Sequence, residues 1–242
     1  MKQVHEDICV PKGFAAAGTY SGVCRNRVKV DLAMIVSTKA GTIVTSTPSG
    51  VTAAVGSAVL FHNGAALPKG TRASEIKKEI CAAAATKLHC PCGDVQFVAH
   101  GVSGQFFRPS LVVHSLPALL AGLSADASDD VRRVVDTLGD VTSEVVTVTG
   151  TQGVCHMGGI AADGTNGQNG LCVITTDGAV TAGAIEKALS ACRTALDTGA
   201  YTFIVMANGM APNSTVSEGD LTQSLQHLLK DLGFTKALQE CS

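Results

Sequence analysis

The feature that most constrains this chain is the alternation, along almost its whole length, of two hydrophobic periods. Short β-branched runs with a period of two give way to longer runs with helical spacing. Residues 28–36 alternate toward a buried strand, and Gly41 separates them from 42–47, which reads as an antiparallel partner. Residues 58–61 form a short apolar run ending in His62-Asn63-Gly64, read as a strand entering a turn. Ile76, Ile80, Ala84 and Leu88 keep helical spacing and predict a helix over 72–88. A strand at 95–99 follows, then a helix from about 110 interrupted or restarted at Pro117, and a short helix at 127–137. Strands at 144–149, 171–175 and 201–207 enclose a helix that Thr181 caps and that carries Ile185, Leu189, Cys192 and Leu196 on one face. Leu221, Leu225, Leu228 and Leu232 line a last helix stopped by Gly233. This pattern predicts an α/β fold. No repeat or low-complexity linker divides residues 1–242, so one domain is expected.

One stretch breaks the alternation. Between 150 and 170 glycine stands at 150, 153, 158, 159, 164, 167 and 170, which reads as too glycine-rich for regular structure and predicts a long functional loop. Asn166-Gly167 and Asn169-Gly170 within it are turn dipeptides.

Composition excludes several classes. With 16% charged residues, a net charge of −2, no Trp and two Tyr, the chain offers neither a phosphate-tracking stripe nor base-stacking platforms, so no nucleic acid is expected. Residues 1–7 are polar with no apolar signal region. No apolar run reaches the ~20 residues of a membrane span, so no membrane insertion is expected. The nine cysteines are odd in number and irregular in spacing. Cys81, Cys172 and Cys192 fall on apolar faces, where a thiol acts as a small hydrophobe. A reduced set points to an intracellular, reducing compartment, the mitochondrial matrix or the cytoplasm.

Three patterns invite a chemical reading. His62, His100 and His156 follow or adjoin predicted strands, and convergence of those ends would make a three-imidazole metal site. Cys155 beside a histidine could form a thiolate–imidazolium pair. His89-Cys90-Pro91-Cys92 looks metal-like but lacks the second ligand pair of a closed zinc site, and Pro91 marks a turn after the helix. The glycines of 150–170 fit no nucleotide-binding pattern, so no cofactor is expected.

Several segments, in order, resemble the ornithine acetyltransferase (glutamate N-acetyltransferase) family of arginine biosynthesis. Pro11-Lys12-Gly13-Phe14 with Ala17-Gly18 is similar to its N-terminal signature, and Asp31-Leu32-Ala33-Met34-Ile35-Val36-Ser37 to its first core strand. Val98-Ala99-His100-Gly101-Val102-Ser103-Gly104 resembles a loop the family writes Ala-Ser-Thr-Gly-Val-Ile-Gly. Ile174-Thr175-Thr176-Asp177 and Ala207-Asn208-Gly209 resemble two later motifs. The resemblance implies a layered sheet-and-helix sandwich, truncated at the C-terminal end because family members continue further.

Enzymes of that family cut their own chain and expose an N-terminal Thr. Its hydroxyl takes acetyl from N-acetylornithine and passes it to glutamate. Counting back from Ile174-Thr175-Thr176-Asp177 puts the nucleophile position on Asn169, with the family's self-cleavage falling near 164–169. The family's Lys-Gly aligns with Gly158-Gly159, its oxyanion Thr with His100, and the neighbouring Gly with Gly101. Its Thr- and Asp-rich stretch before Ala-Asn-Gly is reduced to little more than Thr202. A shifted loop would instead bring Thr165 to the cut. These departures favour a catalytically silent relative acting as a structural subunit, either a homo-oligomer or part of a larger assembly, since a shortened relative exposes apolar surface. The alternative is an active acyltransferase.

Overall fold

A computed structural model describes residues 7–23, 29–102, 107–150, 153–164, 169–196, 198, 201–212 and 215–235. The strands are β1 (Phe14–Thr19), β2 (Leu32–Thr47), β3 (Gly50–Ala65), β4 (Val95–Val102), β5 (Val141–Gly150), β6 (Gly153–Ala162), β7 (Gly170–Thr176) and β8 (Tyr201–Ala207). The helices are α1 (Thr71–Leu88), α2 (Pro109–Gly122), α3 (Ser128–Asp136), α4 (Ala182–Ala195) and α5 (Glu218–Asp231). The sheet runs β4-β3-β2-β8-β7-β6-β5, with β1 also paired to β2. The α/β expectation holds.

The sheet folds over on itself. β4 and β7 lie four strand spacings apart in the order, or roughly 19 Å in a flat sheet at ~4.8 Å each. Yet His100 on β4 hydrogen-bonds to Asn169, the residue before β7, at 2.9 Å. The bend is made in β2, whose pairing with β3 shifts register between Val36 and Gly41. Three buried clusters give the resulting layers. Phe61 and Val98 from one half of the sheet meet Leu171, Val173 and Ile204 from the other in an inner cluster that the α3 residues Val131, Val134 and Val135 join. Outside one half, α1 and α2 bury Ile76, Ile80, Leu116 and Leu119. Outside the other, α4 and α5 bury Ile185, Leu189, Leu225 and Leu228.

Helical boundaries follow the sequence pattern closely. Thr181 caps α4, its hydroxyl accepting from Ala184 N at 3.3 Å. Gly233, at φ 96°, follows the end of α5. Four expectations need correction. First, α2 runs through Pro117 unbroken, with that residue on the exposed side of the helix. Second, β2 is one strand and not two. Gly41 is in it because an added Cβ would overlap the Ala207 carbonyl on β8, so only a glycine lets the two backbones meet. Third, His62 lies within β3, paired with Ala99 and Leu32, and not in a turn. Fourth, most of the glycine-rich stretch is strand. β6 pairs with β5 and β7, and its glycines serve close packing: a Cβ at Gly159 would press on Leu228 and Leu232. Thr165, the Asn166-Gly167 dipeptide and Val28 lie outside the described residues.

Candidate functional site

Where β4 approaches the start of β7, three of the aligned positions meet. His100 is 5% exposed and pairs in register with Asn63 on β3. Its Nε2 lies 2.9 Å from the Asn169 backbone oxygen. A carbonyl only accepts, so Nε2 carries the proton and donates. Burial lowers the His100 imidazole below its ordinary range, which keeps it neutral, while the Asn169 carbonyl works the other way. Gly101 follows with its backbone pressed on Gly64, in space that any side chain would fill. Beneath them Asn63, 3% exposed, donates through Nδ2 to Val134 O at 3.4 Å and to Thr137 Oγ1.

Gly158 stands apart. It pairs with Thr175, six residues beyond Asn169, so about 20 Å separates them at ~3.3 Å per residue. A Cβ there would overlap the backbone of Asp7, and the adjoining Ile8 carbonyl accepts a 2.6 Å hydrogen bond from Thr175 Oγ1. The space a lysine would need is filled by this chain's own N-terminal segment.

A second convergence was not foreseen from the motifs taken singly. Asp177, fully buried, accepts from Lys12 N at 3.0 Å and from His156 N at 2.7 Å. Asn208 donates to Lys12 O at 2.8 Å and to Ser37 Oγ at 3.0 Å. Four separate family-like segments thus meet in one clasp of mostly backbone partners. The signal was there, in four polar residues embedded in apolar motifs, but no spacing along the chain links them.

No family model matches the chain. The sequence is 29% identical over 201 residues to the chloroplastic arginine biosynthesis bifunctional protein ArgJ of Sorghum bicolor, an alignment covering 74% of this chain and 43% of that relative. The chain resembles the ArgJ, or ornithine acetyltransferase, family. It spans less than half the length of the curated relative it matches. Among solved structures, the PH0078 protein of Pyrococcus horikoshii shares the fold, with a TM-score of 0.54 at 8% identity over 94% of this chain and 84% of that one. The ornithine acetyltransferase of Mycobacterium tuberculosis, solved with ornithine, gives a TM-score of 0.49 at 14% identity over 64% of this chain and 84% of that one.

The fold does not bring the three histidines together. His62 pairs with Ala99 and His100 with Asn63, so the two imidazoles leave opposite faces of the sheet. His62 is fully buried between Phe97 and Phe107, its ring 5.6 and 4.9 Å from theirs, with neither nitrogen hydrogen-bonded. Burial, and secondarily the neighbouring His100, hold its pKa at about 3. His156 sits at the far end of β6, its Nδ1 3.7 Å from Asp177 Oδ2. Among the described residues no group of three His, Cys, Asp or Glu is placed to hold a metal, so the three-imidazole site is not formed.

The thiolate–imidazolium pair also fails. Cys155 and His156 are consecutive in β6 and point to opposite faces, and burial followed by the Asp177 charge pushes the Cys155 thiol up, away from the thiolate. His89 ends α1 in the left-handed conformation at φ 55°, with Cys90 N–H bonded to Ala85 O at 3.1 Å. It is the turn that Pro91 suggested. Cys172 and Cys192 are fully buried in the cluster under α4, as expected of thiols acting as hydrophobes, whereas Cys81 is only half-buried. No helix among the described residues is long and apolar enough to cross a membrane.

Proposed function

We propose that this ArgJ-like chain has lost the family's acetyl transfer and serves as a structural or assembly subunit, in a homo-oligomer or a larger complex. The observation that carries the reading is Asn169, which stands where the resemblance puts the nucleophilic Thr. Its carboxamide has no hydroxyl to acylate, and its backbone carbonyl is already engaged by His100. His100 in turn replaces the Thr whose hydroxyl would face an oxyanion. Gly158, aligned with the family Lys, is packed against Asp7 and leaves no room for one. An intracellular, reducing setting, the mitochondrial matrix or the cytoplasm, accords with Cys172 and Cys192 being buried as thiols.

The test is an assay of labelled acetyl transfer from N-acetylornithine to glutamate, run beside a full-length family enzyme. No transfer above background is expected. Turnover within a thousandfold of that enzyme would overturn the reading. Sedimentation velocity checks the assembly half, where a species larger than the monomer is expected and a monodisperse monomer that captures no partner counts against it.

A further inference from the structure

We propose that the chain cuts itself at the Asn169–Gly170 bond by cyclisation of the Asn169 side chain, with His100 holding the oxygen of the bond that breaks. This goes beyond the reading above and does not depend on whether acetyl transfer is lost. It also differs from the family's processing. The bond lies one residue further on, the attacking atom is a nitrogen, and the new N-terminus is a glycine with no side-chain nucleophile.

The geometry assigns each role. Asn169 Nδ2 attacks its own backbone carbonyl carbon and closes a five-membered imide. Charge collects on the carbonyl oxygen, which already accepts from His100 Nε2 at 2.9 Å. A donor fixed before the reaction costs no reorganisation as that charge develops. The proton lost from Nδ2 ends on the departing Gly170 nitrogen. One C–N bond forms and one breaks, nothing is oxidised or reduced, and water is needed only for later opening of the imide. His100 is returned unchanged.

The usual fate of an Asn-Gly pair is the competing ring, in which Gly170 N attacks the side-chain carbon and the chain stays whole. That ring forms only if the Gly170 nitrogen itself moves onto the side-chain carbon. Gly170 is the first residue of β7, paired with Tyr201 on β8 and Leu171 with Thr202, and an added Cβ at Gly170 would overlap the Tyr201 ring. The ladder resists that movement. In the imide formed through Nδ2 the atom that moves belongs to the side chain, whose torsions remain open because Asn169 is half-buried and precedes the strand. After scission the pieces stay joined by the β6–β7 ladder, from Met157–Thr176 to Ala162–Leu171. Native size therefore does not change.

The experiment is intact-mass spectrometry of the purified full chain during incubation at neutral pH, with denaturation before injection. Two fragments are expected, ending at Asn169 and beginning at Gly170. Their masses sum to that of the intact chain while the imide is closed, and to one water more after it opens. Asn169→Asp keeps the shape without the amide nitrogen and should remain whole. His100→Phe, checked for folding by circular dichroism, should slow scission by about a hundredfold, the scale of losing one oxyanion donor. Should His100→Phe fail to fold, the Asn169→Asp comparison decides alone. A wild-type chain that stays whole, gains only the mass of an amide-to-acid change, or parts before Asn169 would overturn the proposal.

Discussion

Replacing His62 with leucine should make the protein markedly more resistant to acid while changing little at neutral pH. His62 is fully buried and unpartnered, with its pKa held at about 3 against an ordinary 6.5. The folded state therefore binds fewer protons than the unfolded chain between those values. Stability contributed by the neutral ring is complete above pH 6.5 and falls as pH drops toward 3. At pH 4.5, two units below the unfolded value, the loss is about 3 kcal/mol, at ~1.36 kcal/mol per unit. A leucine side chain cannot take up that proton, so His62→Leu escapes the loss. At pH 7 two effects oppose. Removing unpartnered nitrogens gains roughly 1–3 kcal/mol, and losing two ring contacts with Phe97 and Phe107 costs about 0.5–1.5 kcal/mol each. The neutral-pH difference should stay within about 2 kcal/mol on those magnitudes, less than the loss at pH 4.5. Urea unfolding of both proteins at pH 7 and 4.5 isolates the effect, because His100 and all carboxylates are common to both. If the two proteins lose stability in parallel on acidification, the buried neutral imidazole is not what acid attacks.

Other substitutions probe the packing that positions the candidate site. Gly158→Lys, which restores the residue type the family carries there, should bring no acetyl transfer. It should also cost about 3–5 kcal/mol in urea unfolding by displacing Ile8 and breaking the Thr175 Oγ1 to Ile8 O bond. Gly41→Ala should lower the melting temperature through a loss of roughly 2–4 kcal/mol, because β2 and β8 would have to part around the new Cβ. An unchanged midpoint would mean the two backbones are further apart than described. Ser217→Ala should cost about 1 kcal/mol, read as a small shift in urea midpoint, since the hydroxyl caps α5 by accepting from Asp220 N at 3.1 Å.

The site was only partly legible. Counting back along one motif placed Asn169 opposite the nucleophile, a second motif set His100 opposite the oxyanion donor, and in space the two residues touch. Gly158, where the family's Lys aligns, lies about 20 Å along the strand from Asn169. Alignment carries positions along the chain, whereas proximity depends on which strand pairs with which. The histidine reading failed for a related reason. His62 and His100 both follow apolar runs, but the register of β3 against β4 sends them to opposite faces, and register is not written in either strand alone. Glycine-rich β6 was missed because glycine usually signals a turn, while here it admits the Asp7 backbone and two leucines of the α5 region.

By itself the sequence determined what its neighbours in the chain decide: the leucine face of α5, the cap at Thr181, the strands β7 and β8, and the class of fold. Each rests on a period of two or 3.6 residues, read within a dozen positions. Only the tertiary structure decided the rest. The bend in β2 folds the sheet until β4 and β7 meet, the N-terminal segment fills the space beside Gly158, and Lys12, Ser37, Asp177 and Asn208 close one clasp. These are contacts between residues up to 196 positions apart, fixed by how twisted layers pack and by where a glycine lets two backbones approach, neither of which a local pattern encodes.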